Sequence, residues 1–208
     1  VGLKVGRLED TKKLLERCLE LAPSFHLARH NYAICLFRLQ NLEQAMIQIK
    51  ILLKTDPNNP SYLLLKGSVL VRKGDHKDAL DLYESILKNY PDQARPQINY
   101  GHTLKAMGRS DDAIRAYRKA ITLSPKLGEA YWNLANLKTF RFTDLDIESM
   151  QKQVTKNSGD AEDQAHLAFA LGKAFEDRKK FTKSFGYYFR GNSIRSIKHV
   201  YDPKKNVY

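Results

Sequence analysis

Four prolines recur at a constant interval, and this feature constrains the fold of the chain more than any other. Pro23, Pro57, Pro91 and Pro125 are each 34 residues apart. Small residues keep this interval in two registers, Ala33, Gly67, Gly101 and Ala135, and Ala45, Ala79 and Ala113. Another register contains Gly6, Gly74 and Gly108, with Gln40 replacing glycine in one copy. Self-similarity at a fixed period of this length indicates a repeat protein.

Each repeat unit is predicted to contain two helices. Apolar residues recur at helical spacing between the markers, as Leu63, Leu64, Gly67 and Leu70 do. We expect Gly74 to end a first helix in the left-handed conformation and Asp75 to cap the helix that follows. The small residues let the paired backbones approach closely, and the repeating proline ends the second helix.

These markers divide the chain into segments. Residues 1–25 are predicted to hold only the second helix of a partial repeat, with Gly6 at its turn. Residues 26–127 form three regular units, 26–59, 60–93 and 94–127. Residues 128–164 form a divergent fourth unit and a linker, and residues 165–208 form a fifth unit with a basic carboxy-terminal helix and tail. Because the chain starts inside a unit, we expect it to be the repeat region of a larger protein.

The interval, the helix-turn-helix unit and the small, aromatic and proline markers of residues 26–127 resemble the tetratricopeptide repeat. The resemblance implies an all-α fold, a right-handed superhelical solenoid of antiparallel helix pairs. It also implies a protein–protein interaction module that binds an extended peptide or partner element in its concave groove.

Exposed positions on the first helix of each unit are predicted to line this groove. They are His30, Asn31, Ile34, Arg38, Leu64, Ser68, Arg72, Ile98, Asn99, His102, Lys105, Trp132, Asn133 and Asn136. Asn31, Asn99 and Asn133 occupy equivalent places, where an amide can donate to and accept from the backbone of an extended ligand. Hydrogen bonding to neighbouring helices or to water is the other interpretation, and both stay open.

The basic positions of the groove indicate which kind of ligand it could bind. Some tetratricopeptide repeats clamp the acidic carboxy-terminus of a chaperone with lysines, but the corresponding places carry His30, Leu64 and Ile98 here. That clamp is therefore not predicted. A mixed groove with Arg72 and Lys105 instead favours an acidic or extended peptide.

Residues 131–195 carry a more specific resemblance. The runs Trp132 to Phe142, His166 to Asp177 and Phe185 to Asn192 resemble the repeat region of bacterial proteins that continue into a sulfotransferase domain. The resemblance implies that a catalytic domain follows Tyr208 in the parent protein and binds 3′-phosphoadenylyl sulfate. It assigns no catalytic residue and no cofactor to this chain, which is expected to be non-catalytic.

The net charge of +12 lies mostly at the carboxy-terminal end. Residues 178–208 contain one acid, Asp202, and the basic residues Arg178, Lys179, Lys180, Lys183, Arg190, Arg195, Lys198, Lys204 and Lys205. Among them Phe181, Phe185, Tyr188 and Phe189 recur at helical spacing, and we predict that they form the buried stripe of the last helix. The basic face and the end of this stripe are then expected to dock onto a following domain. Stacking on nucleic acid is the weaker alternative.

The remaining residues exclude several classes of protein. Cys18 and Cys35 lie among apolar helical residues, so we interpret them as reduced thiols in a cytoplasmic protein. His26 and His30 have the spacing of metal ligands, but no acidic or cysteine partner stands at a motif distance, so no metal site is predicted. The mean hydropathy of −0.52 and the lack of a long apolar run argue against a transmembrane helix.

Overall fold

A computed structural model describes residues 7–137 and 139–198, the last two as backbone only. The described part contains helices and no strand. The helices are α1 Leu8–Leu21, α2 His26–Arg38, α3 Leu42–Thr55, α4 Pro60–Lys73, α5 His76–Asn89, α6 Ala94–Ala106, α7 Ser110–Leu123, α8 Gly128–Ala135, α9 Asp144–Thr155, α10 Ala161–Asp177 and α11 Phe181–Lys198. The predictions for Gly6, Asp202, Lys204 and Lys205 lie outside the described residues.

The chain divides into two compact units. The first, unit 1, contains residues 1–91 and 102–107, and the second, unit 2, contains residues 92–101 and 108–208. In unit 1, α1 contacts α2, α2 contacts α3, α3 contacts α4, and α4 contacts α5. In unit 2, α7 contacts α8, and α10 contacts α8, α9 and α11.

Close helix crossings in both units depend on the small residues of the repeat. A Cβ atom on Gly67 would lie 2.4 Å from Cζ of Tyr83 in unit 1. In unit 2 a Cβ on Gly101 would lie 2.6 Å from Cε1 of Tyr117, and one on Gly172 would lie 2.7 Å from Cδ1 of Tyr188. These separations are shorter than carbon atoms tolerate, so only glycine admits the tyrosine ring. The predicted role of small residues at the crossings is confirmed.

The turn between the paired helices has the expected left-handed residue. Gly74 and Gly108 have φ angles of 91° and 76°, as predicted. Gln40 adopts the same conformation with a φ of 64°, and Lys179, at the end of α10, has a φ of 58°. The predicted cap by Asp75 is wrong, because this residue precedes α5 with a ψ of 57° and its side chain makes no capping hydrogen bond.

The fourth helix pair differs from the others. Its first helix, α8, has 8 residues, whereas α4 has 14. The second helix, α9, begins with a capping box in which Thr143 and Asp146 exchange hydrogen bonds with each other's backbone N–H groups. Asp146 also accepts from Nη2 of Arg118 on α7 at 2.9 Å. This capping box and ion pair take the place of the glycine turn.

Candidate partner-binding surfaces

The first candidate surface is formed by α2 and α4, which contact each other in unit 1. His30 on α2 and Tyr62 on α4 pack with their ring centroids 5.2 Å apart. Both rings are half-buried. Burial lowers the pKa of His30 below its ordinary value of 6.5, so this side chain is neutral at pH 7.

Arginine side chains mark the carboxy-terminal ends of α2 and α4. Arg38 and Arg72 occupy equivalent places in the last turns of these helices, and both are exposed. The guanidinium of Arg72 lies 5.5 Å from the ring centre of Phe37, and Nη1 donates to Gln40 Oε1 at 3.4 Å. The stacking contact holds the charged group in place at the surface of unit 1.

Four other predicted positions of unit 1 lie on the same two helices. Asn31, Ile34 and Leu64 are half-buried. Ser68 is also half-buried, but its hydroxyl donates to the Leu64 carbonyl at 3.0 Å. That hydroxyl is therefore satisfied within its own helix, and Asn31 is the more suitable donor for a ligand.

Two predicted surface positions are wrong. Ile98 on α6 is only 1% exposed, so it belongs to the core. Asn133 on α8 is 8% exposed, and its Nδ2 donates to the Glu129 carbonyl at 2.7 Å. Asn133 therefore fits neither interpretation, because its amide hydrogen bond lies within its own helix. Asn99, at the equivalent place on α6, is half-buried.

The remaining predicted positions are accessible to different degrees. His102 and Lys105 are half-buried on α6. Asn136 follows the last residue of α8 and is exposed. Trp132 is half-buried and is the centre of the second candidate surface, which lies in unit 2.

Aromatic and charged side chains gather around Trp132. Its ring stacks on His166 of α10 at a centroid distance of 6.3 Å and packs against Phe169 at 5.4 Å. The guanidinium of Arg195 lies 4.8 Å from the centre of the Phe169 ring. Arg195 Nη2 also lies 3.1 Å from Oε1 of Glu162. We call these five residues the Trp132 cluster.

His166 is held neutral within the Trp132 cluster. Burial is the main cause that lowers its pKa, and the charge of Arg195 acts in the same direction against the opposing effect of Glu162. Nε2 of His166 lies 3.2 Å from Nη2 of Arg195, and Nδ1 is buried without a hydrogen-bond partner. A neutral imidazole can accept the Arg195 hydrogen through Nε2.

Sequence reasoning found Trp132 and missed the other members of its cluster. One signal was available for Phe169, which follows Trp132 by 37 residues, the spacing that separates Ala135 from Gly172. Phe169 therefore occupies the place of Trp132 in the fifth unit. The repeat spacing does not indicate Arg195, because this residue lies on another helix, α11, and not on the helices of Trp132 or Phe169.

The predicted buried stripe of the last helix is wrong for its three phenylalanines, and of its four members Tyr188 alone packs on α10. Phe181, Phe185 and Phe189 are 65%, 71% and 63% exposed. The face of α11 that packs on α10 instead carries Ser184, whose hydroxyl donates to the Gly172 carbonyl at 2.8 Å, and Tyr188, which contacts Gly172. Phe185 follows Ser184 by one residue and Phe189 follows Tyr188 by one residue, which rotates each ring by about 100° around the helix from the packed face.

Acidic residues are segregated between the first and second helices of the regular units, whereas basic residues occur on both. The first helices α2, α4 and α6 contain no Asp or Glu. Their basic residues are Arg29, Arg38, Lys66, Arg72, Lys73, Arg95 and Lys105. The second helices carry acids, for example Asp78, Asp81 and Glu84 on α5.

Other kinds of site find little support among residues 7–137 and 139–198. They contain no group of three or more His, Cys, Asp or Glu side chains that could hold a metal ion. No helix in this part of the chain has both the length and the hydropathy of a membrane span. Both cysteines are free thiols, Cys35 buried and Cys18 half-buried.

Paired helices with glycine–tyrosine crossings and left-handed turns define a helical repeat protein. Two sequence models of the tetratricopeptide repeat match residues 3–69 and 59–126. Over this stretch, which is more than half of its length, the chain is a tetratricopeptide-repeat protein. Human tetratricopeptide repeat protein 6 is 28% identical over 140 residues, which are 65% of this chain and 26% of that protein. The chain thus spans about a quarter of the length of this relative.

Solved structures show the same fold. BtubC from P. vanneervenii superposes with a TM-score of 0.62 at 15% identity, over 96% of this chain and 92% of that one. PilF from Pseudomonas aeruginosa has a TM-score of 0.60 at 19% identity, over 81% of this chain and 75% of that one. The predicted all-α tetratricopeptide-repeat fold is confirmed.

Proposed function

We propose that this chain is a protein-interaction module whose first helices bind an extended, acidic segment of a partner protein. The observation that carries the proposal is that α2, α4 and α6 contain no Asp or Glu, while they carry seven lysines and arginines. Two of these, Lys73 and Arg95, pair with Glu43 and Glu129 of other helices. A surface of one sign attracts a ligand of the other sign and raises its association rate.

The side chains of the α2–α4 surface suit such a ligand. The guanidiniums of Arg38 and Arg72 can donate two parallel hydrogen bonds to a carboxylate. The amide of Asn31 can donate to a backbone carbonyl and accept from a backbone N–H. The half-buried Ile34 and Leu64 offer apolar surface between the charged groups.

Binding of defined peptides tests this proposal. The probe is a fluorescent peptide of alternating glutamate and apolar residues, with proline at intervals to keep it extended, and its control has lysine in place of glutamate. We expect anisotropy titrations to show salt-sensitive binding of the acidic peptide and none of the lysine peptide. Equal binding of both peptides would contradict the proposal.

Charge reversal locates the binding surface. In the double variant Arg72→Glu/Lys105→Glu we expect affinity for the acidic peptide to fall about tenfold or more, because two attractive interactions become repulsive. The control is Lys77→Glu, an exposed charge on the second helix α5. If both proteins bind the peptide as the wild type does, the first helices are not the site.

We also propose that the parent protein is a cytoplasmic bacterial sulfotransferase in which these repeats position an acceptor and a domain after Tyr208 binds 3′-phosphoadenylyl sulfate. The support is the resemblance of residues 131–195. A downstream coding sequence without a phosphate-binding strand, loop and helix would contradict this proposal. Docking of that domain against the basic end of the chain stays a prediction, and it is an alternative to the partner that we infer below for the exposed phenylalanines of α11.

A further inference from the structure

Helix α11 exposes a continuous row of aromatic rings. Phe181, Phe185 and Phe189 are four residues apart, so they lie above one another on one face of the helix over about 12 Å. The rings of Phe185 and Phe189 stack with their centroids 6.4 Å apart. We call these three residues the Phe row. Single exposed apolar residues are common, but a contiguous group of this kind marks an interaction site.

The repeat register identifies the residues that are equivalent to Phe185 in the other units and shows how exposed they are. Tyr188 contacts Gly172 as Tyr83 contacts Gly67, so the two tyrosines are equivalent. Phe185 precedes its tyrosine by three residues, as Leu80 precedes Tyr83, and Leu80 is only 6% exposed.

Met46 stands one repeat before Leu80 and is 8% exposed. It lies on α3, which contacts the following helix α4. The position of Phe185 is thus on the side of a second helix that is buried in the first two regular repeats and half-buried at Ile114 in the third. In α11 the same place carries a larger apolar side chain that is 71% exposed.

The charge around the Phe row indicates the chemistry of a ligand. Residues 178–198 contain no acid. Arg178 pairs with Asp144, and Arg195 pairs with Glu162. Lys179 and Lys180 are exposed and make no ion pair with any described residue. Lys183 lies on the other side of α11, where its ammonium is 5.7 Å from the centre of the Phe175 ring. Positive charge that no described residue neutralises is therefore present at the amino-terminal end of the Phe row.

We propose that the Phe row binds an amphipathic helix of a separate protein, one that carries an apolar stripe flanked by Asp and Glu. The apolar stripe covers the rings as neighbouring helices cover the equivalent positions Met46 and Leu80, and the acidic flanks face Lys179 and Lys180. A second copy of this chain is a poor partner, because two α11 helices would bring like charges together.

A helical peptide is the probe for this proposal. It carries a leucine stripe with glutamate on both flanks, and its control keeps the stripe and replaces glutamate with lysine. We expect the wild-type chain to bind the glutamate peptide and the Phe185→Ala chain to bind it about tenfold more weakly, because one large apolar side chain is lost from the interface. Phe25→Ala, which removes a ring that is 48% exposed before α2, is the matched control and should bind as the wild type does.

Three results would overturn the proposal. One is equal binding of the glutamate and lysine peptides. The second is Phe185-dependent binding to phosphatidylserine vesicles or to single-stranded oligonucleotide with no binding of the glutamate peptide, which would assign the Phe row to a membrane surface or to nucleic acid. The third is a dimer in sedimentation experiments that Phe185→Glu converts to monomer, which would assign the row to self-association. Circular dichroism of each variant shows that its helices are retained.

Discussion

Glycine at a helix crossing determines how closely two helices of this protein approach. Gly67, Gly101 and Gly172 each face a tyrosine ring at a distance that excludes a Cβ atom. By contrast, a Cβ on Gly186, within α11, would have no atom within 4 Å. The two kinds of glycine therefore respond to substitution in opposite ways.

Gly67→Ala is expected to lower the free energy of unfolding by about 1–2 kcal/mol. The methyl group clashes with Tyr83, and this overpacking exceeds the gain in helix propensity. Gly186→Ala is the matched substitution and should raise the free energy of unfolding by about 0.5–1 kcal/mol, because only the propensity changes. Urea denaturation followed by circular dichroism measures both, and equal effects of the two substitutions would contradict the crossing geometry.

Asp146 is the charged residue whose environment predicts a pH dependence. Burial would raise its pKa, but hydrogen bonds from Arg118 and Thr143 outweigh this effect, so the pKa is lowered from 3.8. A lowered pKa means that the folded state favours the carboxylate. The stabilisation is complete at pH values above the unfolded pKa and is lost as the pH falls through the folded pKa.

Asp146→Asn is expected to lower the free energy of unfolding by about 1–2 kcal/mol at pH 7, because it removes the ion pair and weakens the cap of α9. The difference in the free energy of unfolding between the variant and the wild type should shrink as the pH falls below about 4. Protonation then removes the charge of the wild-type carboxylate, so that it resembles the neutral amide of the variant. Asp144→Asn is the control, since Asp144 has a side chain that is 90% exposed and pairs only with Arg178 at the surface. A difference that stays constant with pH would contradict the assigned role.

At the scale of the helical elements, one backbone conformation recurs between paired helices. Gly74, Gly108, Gln40 and Lys179 all have positive φ angles at this turn. The conformation costs an L-residue with a side chain about 1 kcal/mol, whereas glycine adopts it freely. The turns at Gln40 and Lys179 are therefore formed at a local cost that tertiary packing offsets.

Gln40→Gly is expected to raise the free energy of unfolding by about 0.5–1 kcal/mol, since it removes the unfavourable φ angle. Gly108→Ala is the reciprocal substitution and should lower it by about 1 kcal/mol, with no clash because a Cβ there has open space. Thermal unfolding of the two variants measures the changes. If Gln40→Gly is less stable than the wild type, the contacts of the Gln40 side chain contribute more to the free energy of unfolding than its positive φ angle takes away.

Periodicity allowed the repeating parts of the elements to be predicted. The interval of the small residues predicted the crossing at Gly67, and the glycine register predicted the turn at Gly74. Broken periodicity also predicted that the fourth unit diverges, but not the capping box and the Arg118–Asp146 ion pair at its turn, because these join residues outside the repeat pattern. The orientation of α11 was also mispredicted, since Phe185 and Ser184 fit helical periodicity equally well and packing on Gly172 decides which of them is buried.

For the whole molecule, the distribution of charge matters more than its total. A net charge of +12 predicts attraction to any anionic partner. The structure adds that the first helices α2, α4 and α6 carry no acid, and that the last helix carries positive charge beside exposed rings. Our two proposals assign an extended acidic segment to the first helices and an acidic helix to the Phe row.

Salt should distinguish the two surfaces. Binding of the extended peptide is expected to weaken strongly with ionic strength, because exposed charges are screened over about 10 Å at 0.1 M salt. Binding of the helical peptide should weaken less, because the Phe row contributes apolar burial that salt does not screen. Parallel titrations at low and high salt measure this difference, and identical salt slopes would show that both peptides bind through charge alone.

Photo-cross-linking of the extended acidic peptide tests the central claim most directly. The peptide carries a photoreactive group at its centre, and mass spectrometry identifies the residues of the chain that it labels. We predict labels on α2, α4 and α6, near Arg38, Arg72 and Lys105. Labels confined to the second helices α3, α5 and α7 would contradict the assignment of the binding surface to the first helices.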